Sequence, residues 1–246
     1  MNDSDRHHRR AFVTGADHGL GLALTAELLH RGWHVVAGQY APYEQALAEL
    51  QATVADRLTV VPLDVSDMES VRNAAEATLR RHPVLDLVVN NAGILGNEGL
   101  DHTVNDGLDY ESISEVFDVN SLGPLRVIQA LLPALLDSDL KRLCFVSSEA
   151  GAITRSYRTA WYGYCMSKAA LNMGVSILFN DLRRHGFTFR LYHPGWMRTF
   201  MSGTENTEAE LTPAEAARKA LAYFLDAEID EDRLVMSDEK GHEWPW

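Results

Sequence analysis

Basic residues are scarce in this chain. Twenty-two Lys and Arg stand against 35 Asp and Glu in 246 residues, a formal net charge of −13 with histidine neutral. That balance works against non-specific binding to nucleic acid or anionic membrane, so neither partner is expected. Cysteine is almost absent. Cys144 and Cys165 sit in apolar or helical contexts without metal-ligand spacing. Two reduced thiols and a cytoplasmic setting follow as expectations, with no disulfide frame and no metal. The polar opening "MNDSDRHHRR" lacks the apolar stretch of a signal peptide, and no run approaches membrane-spanning length. Residues 1–10 are expected to form a disordered tail, His7 and His8 included. Linkers, composition breaks and internal repeats are also missing, which leaves 11–246 as one domain.

What is there is a 46% hydrophobic chain, enough for a substantial core, with short apolar runs alternating with helical periodicity. "AFVTGA", "WHVVAG", "LTVVPLDV", "LDLVVNNAG", "RLCFVSS", "FTFRLYHPG" and "RLVMS" read as about seven strands. Helices are expected over 19–31, in "YEQALAELQATV", over 67–81 with Ser66 or Asp67 as N-cap, through "ISEVFDVNSLGPLRVIQALLPALL" without interruption, over 154–184, and in "TPAEAARKALAYFLD". Strands that are apolar on both faces and alternate with helices imply an α/β fold: a doubly wound parallel sheet covered on both sides.

"TGADHGLG" places Gly15, Gly19 and Gly21, with Asp17, His18 and Leu20 between them, in the turn from the first strand to the first helix. Glycines there permit a tight turn and close approach of a pyrophosphate, and the helix N-terminus adds free N–H groups. Cofactor choice falls to the end of the second strand, where an acid favours NAD and a basic residue NADP. Gln39 and Tyr40 stand there uncharged. Asp17 could accept from ribose hydroxyls, and a protonated His18 could favour a 2′-phosphate. NAD and NADP both stay open.

"YCMSK" puts Lys168 four residues after Tyr164, on the same face of a helix. A free tyrosine titrates near ~10, too high for a base near neutrality, and a neighbouring ammonium favours the phenolate. That suits Tyr164 as acid/base and Lys168 as its tuner. Taken alone, the pair is equally at home on a helix surface. Ser148, ending the fifth strand, could bond a substrate oxygen where charge develops, or merely cap a turn.

"TGADHGLG", "NNAG", "VNSLG", "VSSEAG", "YCMSK" and "HPGWMRT" occur in this order, and together the chain resembles a short-chain dehydrogenase/reductase. The resemblance implies an NAD(P)-dependent oxidoreductase interconverting a small carbonyl compound and an alcohol. It implies Asn120, Ser148, Tyr164 and Lys168 as catalytic residues, with Asn120 holding a water in a relay and Lys168 also bonding the nicotinamide ribose. It adds Asp64, Val65, Asn91, Ala92, Gly93, Pro194, Gly195, Trp196, Met197 and Thr199 to the cofactor contacts. "YGYCMSKAALN", "HPGWMRTFM" and the ending "EWPW" are similar to a subset typified by C-factor and the carbonyl reductase sniffer. A dinucleotide-binding regulatory protein with little turnover is the alternative. The family also implies a homodimer or homotetramer packed through helices around 112–136 and 163–184. Ile94, Leu95, Trp161, Trp196 and Met197 are expected to wall an apolar substrate pocket, under an acidic lid over 201–211.

Overall fold

The computed structural model describes residues 8–41, 45–97, 102–199, 201 and 206–246. β1 (Arg10–Val13), α1 (Gly19–His30), β2 (His34–Gln39), α2 (Ala46–Val54), β3 (Leu58–Pro62), α3 (Met68–Arg81) and β4 (Leu87–Asn90) make the first half. α4 (Tyr110–Phe117), a π-helical turn (Asp118–Leu122), α5 (Gly123–Leu136), β5 (Arg142–Val146), α6 (Tyr162–Leu182), β6 (Thr188–His193), α7 (Pro213–Phe224), β7 (Met236–Asp238) and β8 (Glu243–Trp244) make the second. The sheet order is β3-β2-β1-β4-β5-β6-β7-β8. All neighbours pair in parallel except β7 and β8. From β1 the chain steps outward to β3, then returns to β4 and steps outward the other way. The strand order reverses between β1 and β4, and ligands of such sheets lie in the crevice beyond that point.

β4 and β5 are buried at every position, as central parallel strands must be. Side chains alternate between two apolar layers. Phe12, Val88, Phe145 and Leu191 pack with α3, α5 and α6, while Val13, Val89, Cys144 and Tyr192 pack with α1, α2 and α7. Two arginines are buried in this sheet, Arg142 and Arg190. Glu231 receives both, Arg142 Nη2 at 2.9 Å and Arg190 Nη2 at 2.7 Å, which offsets the cost of burying their charge.

The structure departs from expectation in five places. Arg10, assigned to the tail, begins β1, where its N–H donates to Asp86 Oδ2 at 2.8 Å; residues 1–7 lie outside the described ones. An eighth strand, β8, folds back on β7. The long helix over 110–136 is broken by a π turn, because Pro124 has no N–H to donate to Asn120 O, and Gly123 N–H instead reaches Asp118 O, five residues back. The helix expected over 154–184 is delayed: only Thr154 and Arg155, in a 3-10 turn over Ile153–Arg155, are helical before α6 starts at Tyr162, after Trp161 adopts left-handed φ 66. Finally, Tyr110–Leu136 is long and apolar enough to cross a membrane by length and composition, but half of its most apolar window is buried inside the protein. N-cap Asp67 behaves as expected, accepting from Glu69 N at 2.9 Å.

At the opposite end of the sheet from the crevice, His82 caps α3 with 6% of its surface exposed. Its Nε2 lies 3.3 Å from Thr59 Oγ1, and its ring stands 6.4 Å from that of His34. Burial, reinforced by Arg10 and Arg81, pushes His82 down to about 4. A histidine with a folded pKa below its unfolded value of ~6.5 is protonated more readily when unfolded. Its contribution is therefore intact above ~6.5 and lost as pH falls toward 4. Unfolding free energy should drop by about 3 kcal/mol over that window on account of His82. His82→Gln should flatten that part of the profile in urea titrations run from pH 7 to 4. An equally steep fall in the variant assigns the acid sensitivity elsewhere.

Candidate active site

The crevice is held by Thr14. Its Oγ1 accepts from Asn91 N at 3.0 Å and Ala92 N at 2.9 Å, and Asn91 Nδ2 donates back to Thr14 O and Gly15 O. The ends of β1 and β4 are thereby tied where they diverge. A side chain on Gly21 would put its Cβ 1.9 Å from Gly15 O, so only glycine permits this turn. Gly19 has φ 54, and a Cβ there would meet only Thr199 Cγ2 at 3.7 Å. The space above Gly19 is open, at the N-terminus of α1, and the loop after β6 closes over it. These residues fit a dinucleotide whose pyrophosphate lies on the loop.

Asp17 does not face a ribose. It is 3% exposed, and its carboxylate accepts from Tyr40 N at 3.0 Å and Ala41 N at 2.9 Å, shaping the turn after β2. His18 is exposed at the N-cap of α1. Gln39 donates to Ala41 O, and Tyr40 is exposed. Asp64 Oδ1 is occupied by Ser66 N and Oγ, at 2.8 and 2.6 Å, so it builds the turn into α3. Val65 is buried, and its carbonyl accepts from Arg126.

Asn120 is fully buried in the π turn. Its Oδ1 accepts from Ile94 N, and its Nδ2 donates to Ile94 O and to Ser167 Oγ, all within 3.0 Å. Both amide hydrogens are thus spent on the protein. The side chain ties the loop after β4 to α6, a positioning contact. Lys168 is 3% exposed and donates to Val146 O at 3.1 Å. A Cβ on Gly93 would lie 3.2 Å from Asn120 Oδ1 and 3.5 Å from Lys168 Nζ, so Gly93 marks the floor where these groups meet.

Ser148 caps a short turn, accepting from Ala150 N at 3.1 Å, and its hydroxyl lies close enough to the Tyr164 phenol to favour the ionised form. Burial pushes the Tyr164 phenol up to about 12, with the Ser148 hydroxyl acting in the opposite direction. Burial also pushes Lys168 down to about 8. Its Nζ is 5.7 Å from the Tyr164 ring centroid, and burial is the largest cause of both shifts. Desolvation outweighs attraction here.

Trp161 stands edge-on to Tyr164, ring centroids 6.1 Å apart. Trp196 follows Gly195 and is 59% exposed. Ile94 and Leu95 are half-buried beside Gly93. Met197, expected in the pocket, packs against the core and bridges to Leu211. Pro194 is buried, and Thr199 O accepts from Asn206 N. Of the lid, Arg198 braces Ala209 O, Glu208 and Glu210 are exposed, and 202–205 lie outside the described residues. Sequence reasoning passed over Thr14, Ser147, Ser167 and Asn172. Ser147 Oγ donates to Asn172 Oδ1 at 2.6 Å, and Asn172 Nδ2 to Gly151 O. The available signal was polar residues inside apolar stretches, which must find buried partners.

The family profile described as short chain dehydrogenase matches residues 9–210. A curated relative, C-signal of Myxococcus xanthus, is 38% identical over 162 residues, 66% of this chain and 93% of that protein. Mouse retinol dehydrogenase 5 is 32% identical over 92% of this chain and 70% of its own length. Among solved structures, NADPH-bound carbonyl reductase from chicken fatty liver superposes with a TM-score of 0.85 at 31% identity, covering 97% of this chain and 99% of that one.

The open space over Gly19 generates a direct test. Gly19→Val forces a β-branched residue into left-handed backbone and fills the cradle. Affinity for NADPH, followed by fluorescence titration, should fall at least about tenfold, the equivalent of 1.4 kcal/mol, with the circular dichroism spectrum unchanged. Unaltered affinity in the folded variant would take the pyrophosphate away from this loop.

Proposed function

The chain belongs to the short-chain dehydrogenase/reductase family and is an NAD(P)-dependent oxidoreductase of small molecules, and on that premise we propose that it reduces an uncharged, apolar carbonyl compound with NADPH. One observation carries the reading. The Ser148 hydroxyl lies against the Tyr164 phenol at the end of β5, with the buried Lys168 amine 5.7 Å from the phenol ring's centroid. When bound, the dinucleotide supplies hydride to the carbonyl carbon. The chain's own residues supply the rest. Ser148 donates to the carbonyl oxygen, and Tyr164 gives its proton to the alkoxide that forms there. A phenol held at about 12 is fully protonated at neutral pH, which suits reduction. Lys168, held by Val146 O, lies next in line to restore the phenol's proton. Asn120 keeps Gly93, Ile94 and α6 in register. The regulatory alternative is not favoured.

NADPH is preferred in this reading because the acid expected to oppose a 2′-phosphate, Asp17, is buried with its carboxylate bonded to backbone N–H groups. Gln39, at the end of β2, is uncharged. The NADPH-bound state of the chicken carbonyl reductase supports the same choice. Exposed Trp196 and half-buried Trp161, with exposed Glu208 and Glu210 at the rim, favour apolar over anionic substrates. We further infer a homodimer or homotetramer. Met166, Met173 and Ile177 are exposed at spacings of seven and four on α6, and Leu122 is exposed at the head of α5, one apolar face of the kind that partners bury. With two cysteines in the chain and no disulfide among the described residues, we infer a reducing, cytoplasmic setting.

Two measurements check this reading. Tyr164→Phe keeps the ring and removes the proton. Carbonyl reduction should fall by about 10²–10⁴ while NADPH still binds, and Tyr162→Phe, on another helix face, should stay active. A fully active Tyr164→Phe enzyme would end the mechanism. Gln39→Asp puts a carboxylate at the ribose end of β2. The ratio of kcat/KM for NADPH over NADH should drop by about tenfold or more, as expected for one charge-assisted bond changed for repulsion. A constant ratio would mean that Gln39 does not face the ribose.

A further inference from the structure

The stretch between Ser148 and α6 contains an ion pair that the reaction, as described, does not use. Arg158 grips Glu149 with both ends of its guanidinium, Nη1 to Oε2 at 2.9 Å and Nη2 to Oε1 at 2.5 Å. The pair is largely buried, with side chains 17% and 22% exposed. The same guanidinium lies 5.0 Å from the Trp161 ring centroid and 4.9 Å from that of Tyr157. Trp161 in turn meets Tyr164 edge-on at 77°. Its backbone is left-handed, φ 66 and ψ 38, an outlier for a bulky residue that persists only where the surroundings impose it. Glu149 directly follows Ser148, and Trp161 directly precedes α6. One ion pair therefore spans from the strand end bearing Ser148 to the helix start bearing Tyr164.

We propose that Glu149 and Arg158 form a charge-balanced clamp that holds Trp161 as the wall of the substrate site against Tyr164, selecting flat, unsaturated carbonyl compounds. The proposal rests on the reading of Tyr164 as acid/base. Bidentate arginine fixes direction as well as charge, and its planar face stacks on aromatic rings. A ring held beside the phenol gives a conjugated substrate a surface to lie along. Charge balance matters because the phenol is reached from several elements. Ser148 comes from the end of β5, Glu149 from the turn after it, Arg158 from the loop, Cys165 from α6, and Lys168 stands 5.7 Å from the ring centroid. Glu149 raises the phenol's pKa and Arg158 lowers it. With both present the two contributions oppose each other.

The test uses the full chain with saturating dinucleotide. The alkaline limb of benzyl alcohol oxidation is measured first in the native enzyme and in Tyr164→Phe. A limb that is missing in the native enzyme, or survives in Tyr164→Phe, overturns the acid/base reading itself. With that limb established, Arg158→Gln leaves Glu149 uncompensated and should move it up by about half a unit, the order expected for one charge near a partly screened site. Glu149→Gln should move it down by a similar amount, and the double variant should return it close to the native position. Arg158→Lys keeps the charge but loses the two-point grip. It should leave the limb in place while raising KM for benzaldehyde several-fold more than KM for cyclohexanecarbaldehyde, with kcat less affected. Dinucleotide affinity reports folding in every variant. If Arg158→Gln does not fold, the near-isosteric Glu149→Gln carries the test alone. Limb positions that shift in one direction or not at all, or equal KM changes for the two aldehydes, overturn the clamp.

Discussion

Everything at the crevice hangs on a run of hydrogen bonds that begins at the buried Thr14. β1 and β4 are neighbours whose onward connections leave in opposite directions, so their ends have no common structure to follow. Thr14 Oγ1 supplies it by accepting from two successive N–H groups, those of Asn91 and Ala92. The chain beyond then passes Gly93 to Ile94, whose N–H and carbonyl are both taken by Asn120. Asn120 donates onward to Ser167, and Ser167 Oγ donates to Tyr164 O at 2.8 Å. Lys168 is the next residue. The glycine loop and the two reactive side chains of α6 are thus joined by short contacts, of which the buried groups of Thr14, Asn120 and Ser167 would be the costliest to leave unpaired. Loosening any one of them would shift the phenol relative to the loop, and misplacement on the scale of 1 Å is enough to impair positioning catalysis.

Burial also sets the charge states, and in the direction opposite to a tyrosinate–ammonium pair. With Lys168 at about 8 and Tyr164 at about 12, each group is pushed toward its neutral form. A buried amine near neutrality exchanges protons readily, whereas a surface lysine at ~10.4 does not. The arrangement works as a proton store beside a donor. The phenol is loaded, and Lys168, still mostly protonated at neutral pH when it titrates at about 8, can pass a proton on to it.

The fold was legible because parallel sheets advertise themselves. "LVVN" and "RLCFV" are apolar throughout, and strands of that kind alternating with helices leave few other architectures. The site was legible at Tyr164, Lys168, Ser148 and the glycines, where spacing along one element decides which side chains meet. It was not legible where the deciding partner is remote in sequence. Asp17 looked like a ribose ligand until its carboxylate was seen on the N–H groups of Tyr40 and Ala41, 23 and 24 residues away. Met197 was drawn into the core and bridged to Leu211, 14 residues on. The local interruptions escaped for a different reason. Helical periodicity runs on through Asn120 and through Trp161, and nothing in a hydrophobic pattern marks a single residue pushed out of register.

Those two interruptions fall on the walls of the same site. The π turn carries Asn120 into the floor, and the left-handed Trp161 carries an indole beside the phenol. Left-handed backbone at a bulky residue costs about 1–2 kcal/mol, and a π turn forfeits the regular ladder over one turn. Where local preference is overruled, the compensation lies in what the displaced side chain can reach. Here Trp161 reaches the Tyr164 ring directly, and Asn120 reaches its backbone through Ser167. The surrounding fold, with two apolar layers and a sheet buried on both faces, supplies enough stability to hold them there.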